Sequence, residues 1–207
     1  MPFFDYDHIV HSLHESVHNT PLHEIAVAGT GLPPLANPPT AHGNIEGPLV
    51  LELVHIVDIG VSAFDLEEVR QERAHIHHQR RVSRVRSATG EQPLQEREQV
   101  LPEYPRERLK LVLTDGFAEL EAIECRRLPG IAMGKTPMGT KIRLSNVQII
   151  AGVVYLHPEG VEVLGGAVQH HELEHSVRLF RELEVRVEGE LAQALTLKVT
   201  PQALYAV

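Results

Sequence analysis

The dipeptide Asp115-Gly116 lies between two short apolar runs, Leu109–Thr114 and Ala118–Cys125, and constrains the fold more than any other feature of the chain. Glycine tolerates the positive φ that a tight reversal requires, so Asp-Gly in this setting predicts a β-hairpin. In the second run Ala118, Leu120, Ala122 and Ile123 are interspersed with Glu119, Glu121 and Glu124, which gives one dry face and one wet face. The Pro/Gly-rich stretch Leu128–Thr140 predicts an irregular connection. Lys141–Leu144 and Val147–Leu156 read as further strands, and His157-Pro158-Glu159-Gly160 turns the chain into Val161–Leu164. Gly165-Gly166 then ends the sheet. With Leu49–Ile59 as the first strand, the expectation is a mainly β fold, a five-stranded antiparallel barrel, because closure removes the unpaired edges of short strands. Leu111, Leu113, Ile142 and Val163 are its expected interior residues.

Around that barrel the chain divides as follows. Residues 1–47 read as a short N-terminal helix plus a linker. In Asp5–His18, Ile9, Val10, Leu13 and Val17 recur at helical spacing, and Ala28–Pro48 is dense in Gly and Pro. His8, His11, His14 and His18 lie beside the apolar stripe. Neither Cys nor a closed ligand set accompanies them, so they read as a solvated face and no metal is expected. The barrel domain is assigned to residues 48–185. Leu49–Ile59, a near-continuous apolar run, is expected to be buried along most of its length. Residues 186–207 form a C-terminal extension in which Leu191–Val199 alternates like a strand and Pro201–Val207 reads as a tail.

The first two predicted strands are separated by about fifty residues. A structureless loop of that length inside a compact domain is uncommon, so the insertion 61–107 is either a misassignment or functional. Ser62 is a candidate helix N-cap, followed by acids in the first turn, and Leu66, Val69 and Ala74 give the helix a weak apolar side. Residues 70–86 hold six arginines (Arg70, Arg73, Arg80, Arg81, Arg84, Arg86) against one acid, Glu72, with His75, His77 and His78 among them. The plain reading is a solvated helix followed by a disordered basic tether. The sharper one is a partner-facing or DNA-facing element, contacting through Phe64, Leu66 and Val69 together with the six arginines. Glu91–Arg108, with Pro93, Pro102 and Pro105, reads as flexible.

Charge narrows the function classes. A net charge of −9 argues against strong general affinity for phosphate backbones. The single cysteine, Cys125, rules out an internal disulfide and is expected to be a small buried side chain. No apolar run has the length of a membrane span, and the acidic start lacks a basic leader region, so an intracellular protein without a membrane partner is expected.

The order Leu113-Thr114-Asp115-Gly116, Gly139-Thr140-Lys141-Ile142, Gly152-Val153 and Pro158-Glu159-Gly160-Val161-Glu162-Val163-Leu164-Gly165-Gly166 resembles the N-terminal OB-fold of the RecQ-mediated genome instability protein family, across roughly residues 47 to 180. The resemblance implies a Greek-key OB barrel with a C-terminal closing helix, its insertion between strands 1 and 2 reaching into the central opening of a topoisomerase. It implies a nuclear, non-catalytic scaffold without cofactor that binds topoisomerase III, a type IA enzyme. With a RecQ-family helicase such a scaffold promotes dissolution of double Holliday junctions in DNA repair, recombination and replication, and it meets DNA mainly through the complex. The exposed turn at His157, where the family often has Lys, is a second expected partner contact.

Two alternatives remain. A single-stranded nucleic-acid-binding OB-fold stacks bases on exposed aromatics in a basic groove. Here Phe117 and Tyr155 are the main candidates, and Arg126, Arg127, Lys135, Lys141 and Arg143 supply weak auxiliary DNA contacts at most. A zinc hydrolase is suggested by His171-Glu172-Leu173-Glu174-His175, which matches H-E-x-x-H. The extended metzincin pattern fails, since Arg178 and Arg181 stand where Gly and His are needed. Leu173, Val177 and Phe180 are instead expected to pack this helix against the barrel, and no catalytic residue is assigned.

Overall fold

The computed structural model describes residues 6–33, 40–88 and 100–199, with the side chains of 86–88 and 197–199 left aside. The expected tail Pro201–Val207 and much of the expected flexible stretch after Glu91 lie outside these residues. The chain forms two compact units: Met1–Gly60 with Arg106–Phe180, and Val61–Pro105 with Arg181–Val207.

Among the described residues the first unit contains one eight-stranded sheet, so the expected five strands are corrected to eight. The strands are β1 (His42–Ile45), β2 (Leu49–Asp58), β3 (Leu109–Thr114), β4 (Glu119–Glu124), β5 (Lys141–Leu144), β6 (Val147–Ile150), β7 (Val153–Leu156) and β8 (Val161–Gly165), in the spatial order β1-β6-β7-β4-β3-β2-β5-β8. Part of the difference is a reversal hidden inside one predicted strand. Ala151 and Gly152 both have positive φ, 53° and 77°, and Ile150 faces Val153 across them. Two such residues make the primed turn that folds β6 back on β7. A further strand is β1, which pairs with β6 inside the stretch expected to be an irregular linker, and the six runs read as strands already exceed the five of the expected barrel by one.

The sheet curls into a half-barrel for a topological reason. β7 runs parallel to β4, whereas β8 runs antiparallel to β5, and β4 and β5 flank the central β3-β2 pair on opposite sides. Only the 3-10 turn Pro158–Gly160 separates β7 from β8. One short segment therefore holds both flanks of the sheet. β3 and β4 form the hairpin expected at Asp115-Gly116, where the Asp115 carboxylate accepts the Phe117 and Ala118 N–H groups. A Cβ at Gly116 would sit 2.6 Å from the backbone nitrogen of His23, so the close approach of the N-terminal segment also requires glycine there.

β2 is buried over eight consecutive residues because β3 and β5 pair with its two edges. Leu51, Leu53, Ile56, Leu111, Leu113, Leu120 and Ile142 have no solvent access and form the core. Val163, expected inside, is half-buried, since β8 is the last strand of the sheet. Cys125 lies just past the end of β4 and is exposed rather than buried.

Among the described residues four α-helices accompany the strands: α1 (Tyr6–Asn19), α2 (Leu22–Ile25), α3 (Ala63–Ala88) and α4 (Gln169–Val199). α4 continues through Leu191–Val199, so the strand expected there is a helix; Leu, Ala, Gln and Lys are strong helix formers, and no proline interrupts them. The stripe Leu173, Val177 and Phe180, expected to pack inward, is exposed. The inward face is Val168, His171, His175 and Leu179, at the same helical spacing, with Val168, His171 and Leu179 buried and His175 half-buried. The two histidines of the H-E-x-x-H match thus form part of the packing surface.

Candidate partner-binding insertion

The insertion leaves the sheet at the end of β2 and returns at the start of β3, and two buried carboxylates hold these roots. Asp58, the last residue of β2, accepts N–H bonds from Gly60 (2.9 Å), Glu107 (2.7 Å) and Arg108 (3.1 Å). The Ile59 amide donates to the Arg108 carbonyl at 2.8 Å. Glu124, at the end of β4, accepts from the Leu109 and Leu128 amides at 3.1 and 2.6 Å and from both ends of the Arg106 guanidinium. Burial alone pushes the Glu124 carboxyl up; the Arg106 pair and the two amides outweigh it and hold the group below its ordinary range.

Beyond the roots the second unit begins with α3. Ser62 caps it, as expected, accepting the Phe64 amide at 3.2 Å. The Glu190 carboxylate accepts from the Ser62 hydroxyl and the Ala63 amide, both at 2.9 Å, placing an anion at the positive end of α3. Arg186 donates to the Val61 carbonyl at 2.7 Å.

The expected contact residues fall into three groups. Leu66 has no solvent access and is removed from the contact surface, because α3 turns its Ala63, Leu66 and Ile76 side inward. Ala74, expected on the apolar side, is exposed instead, and Ile76 was missed. Arg70 and Arg73 have structural partners. Arg70 forks onto Glu67 through two 2.7 Å bonds, which raise its own pKa and lower that of Glu67. Arg73 donates to the Pro102 carbonyl at 2.7 Å and lies 5.2 Å from the centre of the Tyr104 ring, a cation–π distance. Burial pushes the Tyr104 hydroxyl up. Phe64, Arg81 and Arg84 are exposed, whereas Val69 and Arg80 are half-buried. The side chain of Arg86 lies outside the described residues. The basic window is thus a continuous helix to Ala88 rather than a helix followed by a tether.

On the barrel, the five basic residues assigned to DNA contact also separate. Lys141 is excluded from that role: it is 2% exposed and lies 3.1 Å from Glu52. Burial pulls its pKa down and Glu52 partly restores it. Arg126 and Arg143 are exposed but ion-paired, with Glu159 and Glu162. Arg127 and Lys135 are exposed and line one cleft. His157 is exposed at the start of the 3-10 turn.

The two histidines and Glu172 of the His171–His175 motif all lie close to polar groups of the fold, although the approach of His171 Nε2 to Glu52 lacks hydrogen-bond geometry. His171 lies 3.1 Å from Glu52 through Nε2 and 3.3 Å from Glu174 through Nδ1. His175 and His55 face each other through their Nδ1 atoms at 2.9 Å, one donating and one accepting. Glu172, the general base of a hydrolase reading, accepts the Met138 amide at 2.7 Å. The two histidine rings therefore address different partners.

Comparison with known proteins agrees with this arrangement. The family described as "RMI1, N-terminal OB-fold domain" matches residues 32–178. RecQ-mediated genome instability protein 1 of Arabidopsis thaliana is 42% identical over 64 residues, covering 31% of this chain and 10% of the plant protein. The Schizosaccharomyces pombe protein of that name is 26% identical over 166 residues, covering 72% of this chain and 67% of the yeast protein. Tudor domain-containing protein 3 of Xenopus tropicalis is 36% identical over 86 residues, covering 39% and 12%. The matched stretch spans about a tenth of the length of the plant relatives. With a curled OB sheet, an insertion rooted between its first two long strands and a match over most of its length, the chain belongs to the RecQ-mediated genome instability protein 1 family, through that family's N-terminal OB-fold domain.

Proposed function

We propose that this chain is a non-catalytic scaffold that binds topoisomerase III through its insertion. With a RecQ-family helicase it promotes dissolution of double Holliday junctions in the nucleus, in the service of DNA repair, recombination and genome stability. The observation that carries the reading is the rooted insertion: Val61–Pro105, together with Arg181–Val207, forms a compact unit separate from that of the sheet, while Asp58 and Glu124 fasten both roots of the insertion. Exposed Phe64, Arg81 and Arg84, with His157 on the barrel, are the contact residues this reading retains. A partner that contacts one topoisomerase gate state better than another shifts the gate population by that difference in binding. About 1.4 kcal/mol of discrimination shifts it tenfold, which a few contacts supply.

The single-strand-binding reading is weaker. Lys141 is buried, Arg126 and Arg143 are already paired, and of the two expected stacking rings Phe117 is exposed while Tyr155 is half-buried. The test replaces residues 65–104 by a short Gly/Ser linker, a change of loop length with small entropic cost. The expected result is a folded barrel that no longer stimulates junction dissolution and binds topoisomerase III less tightly. Intact dissolution, or tight and steeply salt-dependent binding of single strands by the isolated chain, overturns the reading.

A further inference from the structure

The first unit contains a cleft of about 460 Å³ that the proposed scaffold role does not use. Its walls are the Pro/Gly-rich connection (Leu128, Ile131, Pro137) and the last strand of the sheet (Val163, Gly165), with Arg127 and Lys135 among its lining residues. Leu128 and Ile131 are almost wholly buried, so the floor is apolar and preformed. The volume falls within the range of about 300–1,000 Å³ typical of ligand sites.

We propose that this cleft docks an extended peptide segment of a partner protein, one in which aliphatic and acidic side chains alternate. Two independent features point to a strand-forming peptide. The first is backbone chemistry. β8 ends the sheet order: β5 pairs with one of its edges and, among the described residues, no strand pairs with the other. An unpaired edge is a template for strand addition unless proline or charge blocks it. β8 contains no proline, and its one charged side chain, Glu162, is held by Arg143. The second feature is charge. Arg127 is exposed and has no ion-pair partner among the described residues, and Lys135 is exposed on the same lining. Glu124, the acid nearest Arg127 along the chain, is committed to Arg106, and Glu162 on β8 to Arg143.

Side chains of an added strand alternate between faces. Residues on the Val163 side then enter the apolar cleft, and an acid in the same series meets Arg127 or Lys135. Nucleic acid fits less well, because no aromatic ring lines the cleft for a base to stack on. The proposal concerns a surface distinct from the insertion, and it stands or falls independently of topoisomerase binding.

The experiment is a selection of random displayed decapeptides on the immobilised full chain. The winning peptide is then synthesised and titrated against the wild type, Arg127→Glu and Lys135→Glu. The expected winners carry aliphatic residues alternating with Asp or Glu. Each charge reversal should weaken them at least tenfold without moving the melting temperature. On binding, the amides of Val163 and Gly165 should gain hydrogen-exchange protection, and alternate N-methylation of the peptide should abolish the gain. Winners without acids, equal binding to both variants, or no added protection on β8 overturn the proposal. So does displacement of the peptide by a twenty-nucleotide oligothymidine at equal concentration.

Discussion

Glu52 on β2 and Lys141 on β5 are registered partners across adjacent strands, their charged atoms 3.1 Å apart and both side chains almost fully buried. Glu52 also accepts the Leu22 amide at 2.7 Å, so the pair joins the sheet to the N-terminal segment. Removing one partner of a buried pair strands the other charge. Lys141→Met should therefore destabilise the protein by about 3–5 kcal/mol. The double variant Glu52→Gln with Lys141→Met should recover most of that loss in a denaturant melt. A double variant no more stable than Lys141→Met would show that the pair is not coupled.

Glu124 predicts acid sensitivity. Its folded-state pKa lies below the ordinary value of 4.5, despite burial, because the Arg106 pair and two amides favour the carboxylate. The stability it contributes is complete above the unfolded pKa and is lost as pH falls through the folded one. Wild type should thus lose stability below about pH 4.5 more steeply than Glu124→Gln, which starts less stable at neutral pH. Parallel acid melts of the two proteins check this; identical slopes would contradict it.

Asp58 should set the order of the insertion roots. Asp58→Ala removes the acceptor of three amides, and hydrogen bonds to a charged group contribute about 1.5–3 kcal/mol each. The amides of Glu107 and Arg108 should exchange much faster in the variant, while those of the β3–β4 hairpin change little. Uniform loss of protection across the sheet would mean that Asp58 supports the whole barrel rather than the roots.

The core offers a graded test. Leu113 is fully buried, so Leu113→Ala should cost about 2–5 kcal/mol, whereas Val163→Ala on the half-buried terminal strand should cost less. Equal losses at the two sites would disagree with the packing described.

Metal removal gives a fifth prediction. His171 is engaged by Glu52 and His175 by His55, so EDTA should change neither the melting temperature nor partner binding. A stoichiometric zinc signal that survives dialysis and disappears in His171→Ala would restore the hydrolase reading.

Much of the sheet was legible because its signals were local. Asp115-Gly116 specified a hairpin, and the near-continuous apolar run of β2 specified a strand buried along most of its length. The split at Ala151-Gly152 was not legible, since Ala at positive φ is an unusual turn residue that tertiary context selects. The face of α4 was misread for a related reason. Leu173, Val177 and Phe180 have the right spacing to pack, but Glu52 and His55 on β2 engage the two histidines and turn a different face inward. In the insertion, the arginine-rich composition was plain, yet nothing local distinguished Arg73, spent on Pro102 and Tyr104, from exposed Arg81 and Arg84.

The placement of β2 has a consequence for synthesis. Its two partners, β3 and β5, lie far downstream in the chain, beyond the entire insertion. At about 5–20 residues per second, this apolar strand leaves the ribosome several seconds before either partner exists. During that interval its eight residues destined for burial and both its edges are open to other nascent chains. Chaperone dependence should accordingly track insertion length: shortening the insertion should raise soluble yield in cells even where the purified proteins melt at the same temperature.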